Sequence, residues 1–175
     1  MVDSDNRLWA PWRMEYIERE LRGDSEGCFL CEKLESKEDE KNLILMRAET
    51  CFVVMNLYPY NNAHLMVCPY RHFSDYIDLT SSERSECQEV IAGCMKIIDH
   101  KLNPDGYNIG LNLGKAGGAG LEEHIHWHIV PRWSGDTNFM PVLGQTKVMM
   151  EGLRDSFIKL LPDFSTLEKS MFGQK

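Results

Sequence analysis

The chain predicts an α+β fold built on an antiparallel sheet of about five strands. Three observations point there. Five short runs carry strand patterning and are joined mostly by brief turns. One long helical stretch falls between the third and fourth of these runs. The repeated β-α units of a doubly wound parallel sheet are missing. Shorter helices are expected near both ends.

The elements follow in order. Leu8-Trp-Ala-Pro-Trp-Arg13 opens the folded part, with Pro11 suited to a first helical turn. Met14, Ile17 and Leu21 then fall at helical spacing, and Gly23–Gly27 ends that short helix. Trp9 and Trp12 read as anchors in the core. Lys33–Lys41 is charged enough to be a solvated helix or loop. Leu43–Arg47 and Cys51–Leu57 read as consecutive strands joined at Ala48-Glu-Thr50. Pro and Asn make Asn56–Ala63 a turn region, and His64–Cys68 is a third strand stopped by Pro69.

Thr80-Ser-Ser-Glu83 matches a capping box. It introduces a helix to about Leu102 whose stripe is Cys87, Val90, Ile91, Cys94, Ile97 and Ile98. Asn103-Pro-Asp-Gly106 ends it. Tyr107–Leu113 alternates, with Asn108, Gly110 and Asn112 on one face. Gly114–Gly120 is a glycine-rich loop, and Glu122–Arg132 is the fifth strand. Ser134–Gln145 reads as loop, Thr146 to about Leu161 as a last helix, and the residues from Pro162 as frayed. The domain expectation is an N-terminal helical extension over 1–27, a central domain over 28–133, and a C-terminal loop and helix over 134–175.

With 175 residues, 43% hydrophobic, the chain can bury one sizeable core. A net charge of −8 opposes a phosphate lattice, so no nucleic-acid partner is expected, although a local cradle of donors still suits a small anion. No run approaches membrane-spanning length and the first residues carry no apolar signal core, so a cytoplasmic protein without a membrane partner is expected. The six cysteines then read as buried thiols or metal ligands.

The chemistry concentrates in His124, His126 and His128, which alternate with Ile125, Trp127 and Ile129. Strand period puts three imidazoles on one face and three large apolar groups on the other. Chance placement is the bland reading. A metal site is a second, but alternate side chains lie roughly 6.6–6.8 Å apart along a strand, so three in line do not easily share one ion. Nucleophilic or acid–base work by imidazole is a third. Cys28-x-x-Cys31 lacks the strand-helix context of a thioredoxin-like redox motif and reads as half a zinc site. His72 and His124 are the natural partners, ahead of Cys51, Cys68, His64 and His100. The Gly114–Gly120 loop, with Lys115, can be a plain connection or an anion nest.

His124-Ile-His-Trp-His-Ile-Val130 resembles the His-φ-His-φ-His-φ-φ signature of the histidine triad (HIT) family. Asn56-Leu-Tyr-Pro-Tyr-Asn-Asn-Ala-His64-Leu-Met-Val-Cys-Pro69-Tyr-Arg-His72 is similar to that family's strand–turn–strand around its nucleotide pocket. The likeness runs from about Cys28 to Trp133. The flanks Trp9–Arg13 and Pro131–Phe139 resemble a microbial branch similar to diadenosine tetraphosphate phosphorylases and hydrolases. The resemblance implies an HIT-like fold and a nucleotide hydrolase or transferase acting on dinucleoside polyphosphates through a nucleotidyl-histidine intermediate. His126 would be the nucleophile, its Nε2 free because Nδ1–H is held by an acceptor such as a main-chain carbonyl, and His128 would assist the leaving group. Asn56 would hold the ribose, and Phe29, Leu30 and Leu57 would pack the base. Asn112 and the backbone of Gly117, Gly118 and Gly120 would hold phosphate, with His64 in support. Zinc-containing relatives, among them galactose-1-phosphate uridylyltransferases, use ligands matched by Cys28, Cys31, His72 and His124, which implies a structural Zn2+. A homodimer or higher homo-oligomer is implied as well.

Two departures stand out. Many relatives carry Gln-Ser, Gln-Thr or Ser before the triad, where this chain has Gly118-Ala-Gly-Leu121, so a phosphate-bonding hydroxyl or amide is missing. The usual Pro-Gly-His is Asn62-Ala-His64. The altered loop keeps open a nucleotide-binding or regulatory protein with little activity, and the Cys and His spacing a metal-binding module.

Overall fold

The structure, a computed structural model, describes residues 27–139 and 148–173. The expected N-terminal helix with Trp9 and Trp12, part of the loop to Gln145 and the expected start of the last helix at Thr146 lie outside the described residues.

The charged stretch forms the end of helix α1 (Phe29–Glu35), capped at Cys28, and the one-turn helix α2 (Asp39–Asn42). Strands β1 (Ile44–Arg47), β2 (Cys51–Met55) and β3 (Leu65–Pro69) follow as a meander. Helix α3 (Ser81–Leu102) then crosses to β4 (Gly106–Leu111), and β5 (Trp127–Arg132) returns between β3 and β4. The order is β1-β2-β3-β5-β4, antiparallel throughout. This is the anticipated five-stranded α+β architecture, with β4 at an edge.

Strand alternation divides the interior. On one face Cys51, Val53, Met55, Leu65, Val67, Trp127 and Ile129 pack under the helices. On the other, Ile44, Phe52, Val54, Met66 and Cys68 close over Leu30 and Leu121. Both layers exclude water, and each fully buried aliphatic or aromatic side chain contributes about 1.5–3 kcal/mol.

Helix α3 begins as the sequence predicts. Thr80 Oγ1 accepts from Glu83 N–H, and the Glu83 carboxylate accepts from Thr80 N–H, closing the capping box. Glu83 also accepts from Arg71 at 2.6 and 2.7 Å, tying the exit of β3 to the helix start. Arg71 holds the buried Glu83 carboxyl down at about 2. Asn103, left-handed, ends the helix.

The last helix departs from expectation. Helix α4 runs over Leu153–Phe172 with Pro162 inside it, so the segment beyond Pro162 is helical. A proline interior costs about 3 kcal/mol or more by removing one hydrogen bond and crowding the turn before it. Phe157, Leu160 and Phe164 are all fully buried against α3 and the sheet. Together they outweigh that cost. The helices approach closely at Gly93, where a Cβ would lie 2.7 Å from Leu167 Cδ2.

The fifth strand is also shorter than its pattern predicts. It starts at Trp127, and His124 and His126 lie in the lead-in. Continued pairing would set Ile125 opposite Pro69, which has no N–H to give. Ile125 N–H instead donates to Phe73 O at 2.8 Å. On the other side β4 ends at Leu111, short of the expected Leu113, before Gly114 turns away with φ 64°. Both neighbours therefore part at His126.

Candidate active site and metal cluster

His124, His126 and His128 are all buried, while Ile125, Trp127 and Ile129 enter the larger core. The alternation persists through the lead-in, and what differs between the three imidazoles is the partner of each ring nitrogen.

His126 Nδ1 lies 2.7 Å from the carbonyl oxygen of His124. A carbonyl only accepts, so the proton is on Nδ1 and the Nε2 lone pair is bare. Burial lowers the pKa of His126 below the usual histidine value, favouring the neutral ring. The arrangement supplies a nucleophile.

His128 stands beside it, ring centroids 4.9 Å apart and edge-on. In the ladder His128 faces Met66 on one side and Gly110 on the other. Gly110 has nothing within 4 Å of where a Cβ would sit, so the flank of His128 stays open. His128 Nε2 lies 3.4 Å from the Asn112 amide, and His128 Nδ1 lies 2.9 Å from Nε2 of the fully buried His64.

The turn between β2 and β3 holds His64. Asn56 N–H donates to His64 O, closing the turn, and Asn56 Oδ1 accepts from Tyr58 N–H at 2.9 Å. Tyr60 N–H and the Asn56 amide nitrogen approach His64 Nδ1 at 3.0 and 3.4 Å. The Tyr60 ring lies over His64 and His128, centroids 4.5 and 5.6 Å away. Sequence reasoning did not single out Tyr60.

Nor did it single out Asn61 and Asp136. Asn61 donates to Pro131 O at 3.0 Å and to Asp136 Oδ2 at 2.7 Å. Arg132 grips the same carboxylate at 2.6 and 2.9 Å and donates to Asn108 Oδ1 at 2.7 Å. The Arg132 guanidinium holds the Asp136 carboxyl far below the usual carboxylate range. This clamp joins the turn, β5 and β4. Its only signal in the sequence was the Pro131–Phe139 flank.

The other expected contacts are less uniform. Leu57 is exposed and Phe29 half-buried, whereas Leu30 is wholly enclosed in the smaller cluster. In the glycine loop, Gly117 N–H and Ala119 N–H donate to Gly114 O, and Gly118 N–H to Lys115 O. Those amides serve the loop's own turn, so Gly117 and Gly118 do not present a ready nest.

On the far side of His126, Cys28, Cys31, His72 and His124 come together. Their ligand atoms all lie within 4.8 Å of one another. Nδ1 of His124 is 3.2 Å from Cys28 Sγ and 3.5 Å from Cys31 Sγ, and Nδ1 of His72 is 3.5 Å from Cys31 Sγ. A tetrahedral ion with bonds of about 2.0–2.3 Å sets its ligands roughly 3.3–3.8 Å apart, so these separations fit. The tautomer fits too. His124 Nε2–H donates to Pro69 O at 2.8 Å, leaving the Nδ1 lone pair aimed into the cluster. Burial pushes the Cys28 thiol up to about 11, so a thiolate there calls for a cation beside it. Four protein ligands would leave an ion held there no open position.

Known proteins resemble this chain in sequence and in fold. The HIT domain family matches residues 37–135. An AP-4-A phosphorylase of Mycobacterium tuberculosis is 39% identical over 159 residues, covering 88% of this chain and 82% of that protein. A bis(5'-adenosyl)-triphosphatase of Dictyostelium discoideum is 32% identical over 89 residues, 51% of this chain and 59% of that protein. Among solved structures, a zinc-bound histidine triad family protein of Mycobacterium smegmatis aligns with a TM-score of 0.66 at 22% identity, over 82% of this chain and 97% of that one. That last likeness is one of fold.

Proposed function

Since the chain belongs to the HIT domain family, we propose that it cleaves dinucleoside polyphosphates, with diadenosine tetraphosphate as the type substrate, by transferring a nucleotidyl group to His126. The observation that carries this reading is the His126 tautomer, with Nδ1–H on the His124 carbonyl and Nε2 bare beside His128. The 39% identity to a mycobacterial AP-4-A phosphorylase supports the substrate class.

The Nε2 electron pair forms a bond to the α-phosphorus while the phosphorus–oxygen bond to the rest of the phosphate chain breaks, its electron pair leaving on oxygen. Water or inorganic phosphate then attacks phosphorus, and the pair returns to Nε2. His128 and Asn112 donate to phosphate oxygens. Asn56 takes the ribose, Phe29 and Leu57 flank the base above Leu30, and His64 supports His128. Gly120 and the neighbouring Gly117 and Gly118 border the phosphates.

Cys28, Cys31, His72 and His124 would hold a structural Zn2+, which neutralises the thiolates and fixes the strand lead-in. This residue set belongs to the catalytic domain, taken as 28–133 between an N-terminal extension (1–27) and a C-terminal one (134–175). The edge position of β4, with Ile109 exposed, supports a homodimer. Six unpaired cysteines support a reducing, cytoplasmic setting.

Incubation with diadenosine tetraphosphate tests the activity. Hydrolysis would yield AMP and ATP, and phosphorolysis in added phosphate ADP and ATP. No turnover under either condition sinks the assignment. The self-bonded glycine loop favours one second reading, a nucleotide binder with little activity. In that case the His126→Ala variant keeps its nucleotide affinity and the wild type never becomes labelled on histidine.

A further inference from the structure

We propose that Asp136 is a positioning residue for nucleoside binding. Through Asn61 it fixes the β2–β3 turn that carries Asn56 and Leu57, and so sets the affinity for the nucleoside rather than the rate of the chemical step. This rests on the assignment of Asn56 and Leu57 to the nucleoside. It follows from where the sheet stops and from what continues in its place.

The β3–β5 ladder ends at Leu65 opposite Ile129. Carried on to Pro131, it would set Ala63 opposite. Ala63 is left-handed at φ 53° and turns the chain away, and Pro131 has no N–H to give. The Pro131 carbonyl is met instead by a side chain, Asn61 Nδ2, at 3.0 Å. The second N–H of the same amide goes to Asp136 Oδ2 at 2.7 Å. A carbonyl and a carboxylate only accept, so this amide has one orientation. Asn61 is 4% exposed and the Asp136 side chain 6%, which leaves water little room to replace either bond.

Asp136 is itself held from several directions. Arg132 donates to it from Nε and Nη2 at 2.6 and 2.9 Å, and Trp133 N–H and the Thr137 hydroxyl donate at 3.2 Å each. Its own N–H closes a tight turn on Trp133 O, with Gly135 at φ 83°. The Arg132 guanidinium holds the carboxyl far below the usual carboxylate range, so it remains an acceptor near neutral pH. The end of β5 thus presents a fixed anchor, and Asn61 is the side chain that fastens the turn to it.

The turn is one hydrogen-bonded body. Asn61 O accepts from His64 N–H, Asn56 N–H donates to His64 O, and Tyr58 N–H donates to Asn56 Oδ1. Tyr60 N–H donates to His64 Nδ1 at 3.0 Å, so neutral His64 carries its proton on Nε2, toward His128 Nδ1. His64 has a second support, because it is wholly buried and adjoins the start of β3. Asn56 is half-buried and Leu57 exposed, so their order depends more on the turn. Releasing Asn61 therefore loosens the residues between Leu57 and Asn62 while His64 stays in place. Tyr58 then holds Asn56 Oδ1 less firmly, and a nucleoside must order that side chain as it binds. Lost preorganisation of this kind weakens affinity.

The test measures AMP binding by calorimetry, and KM and kcat for diadenosine tetraphosphate, in Asn61→Ala, Asp136→Ala, the double variant and Asn108→Ala. Asn61→Ala and Asp136→Ala should each weaken AMP binding and raise KM at least about fivefold, with kcat within about threefold of wild type. Because Asp136 acts through Asn61, the double variant should match the weaker single variant within about twofold. Asn108→Ala also removes a hydrogen bond from Arg132, but on the β4 side, and should keep the AMP affinity of the wild type. Unchanged AMP affinity in Asn61→Ala, a loss carried by kcat, additive losses in the double variant, or equal weakening in Asn108→Ala overturns the inference. Should Asp136→Ala fail to fold by circular dichroism, Asn61→Ala decides alone, since it leaves the Arg132–Asp136 pair intact. A wild type that binds no AMP overturns the nucleoside assignment as well.

Discussion

The two histidines that flank His126 are both buried but differ in the partner of each ring nitrogen. His124 gives Nε2–H to the Pro69 carbonyl and so turns a bare Nδ1 lone pair toward Cys28 and Cys31. His128 accepts at Nδ1 from His64 and so turns an N–H outward past Asn112. One neighbour, acceptor or donor, decides whether an imidazole suits a cation or an anion. Between them His126 borrows its acceptor from the main chain of His124. The metal side thus reaches the proposed nucleophile through one carbonyl, and the proposed phosphate side through ring contact.

The largest effect should fall on the metal side. Cys28→Ser should abolish binding of one zinc per chain, with metal content read by elemental analysis. His126→Ala should keep it. Because metal binding is folding free energy in such clusters, the loss should be at least about 3 kcal/mol, roughly 6–12 °C in Tm for a domain of this size. Zinc retained in Cys28→Ser, or lost in His126→Ala, would contradict the division between the two sides.

Breaking the other side should leave metal and fold largely alone. His64→Phe keeps the ring but removes the donor to His128 Nδ1 and presents no partner to Tyr60 N–H. Adenylylation should slow about 10–100-fold, with kcat affected more than KM and zinc unchanged. An equal loss in kcat/KM carried wholly by KM would assign His64 to binding instead.

A third change sharpens how the metal side is positioned. His72 follows Arg71, which Glu83 holds from the start of α3. Glu83→Gln should cost about 1–3 kcal/mol, read by urea denaturation. The pH dependence follows from the depressed carboxyl. A group ionising at about 2 when folded, against its ordinary 4.5, stabilises the fold above that ordinary value. The gain is lost as pH falls from there toward 2, so the wild type should lose stability more steeply than Glu83→Gln in that window.

Both sides of this comparison were partly legible in the sequence. The spacing of Cys28, Cys31, His72 and His124 marked the metal side because zinc ligation needs only residue types and chain order. The strands and α3 were legible from period and capping chemistry. The polarity of His128 was not, since it depends on a main-chain amide at Tyr60 whose direction is set by the turn. The shortened β5 and the helix through Pro162 were hidden for a different reason. Local rules mark prolines as breaks, whereas pairing partners and a buried apolar face decide what the break does.

The smallest effect should come from the one obvious charge. Lys115 sits in the glycine loop beside the phosphate side and, by sequence, is its natural anion partner. Its side chain is 90% exposed and 3.9 Å from Glu122, so solvent and a carboxylate already share its charge. An exposed charge of this kind contributes roughly 0–1 kcal/mol, and salt screens it further. Lys115→Ala should therefore raise KM for diadenosine tetraphosphate less than about fivefold, with kcat unchanged and the difference fading as salt is added. A loss in kcat comparable with that of His64→Phe would mean that the loop closes over the phosphates during turnover. Polarity on that side would then come from the loop's cation as well as from the donors behind His128.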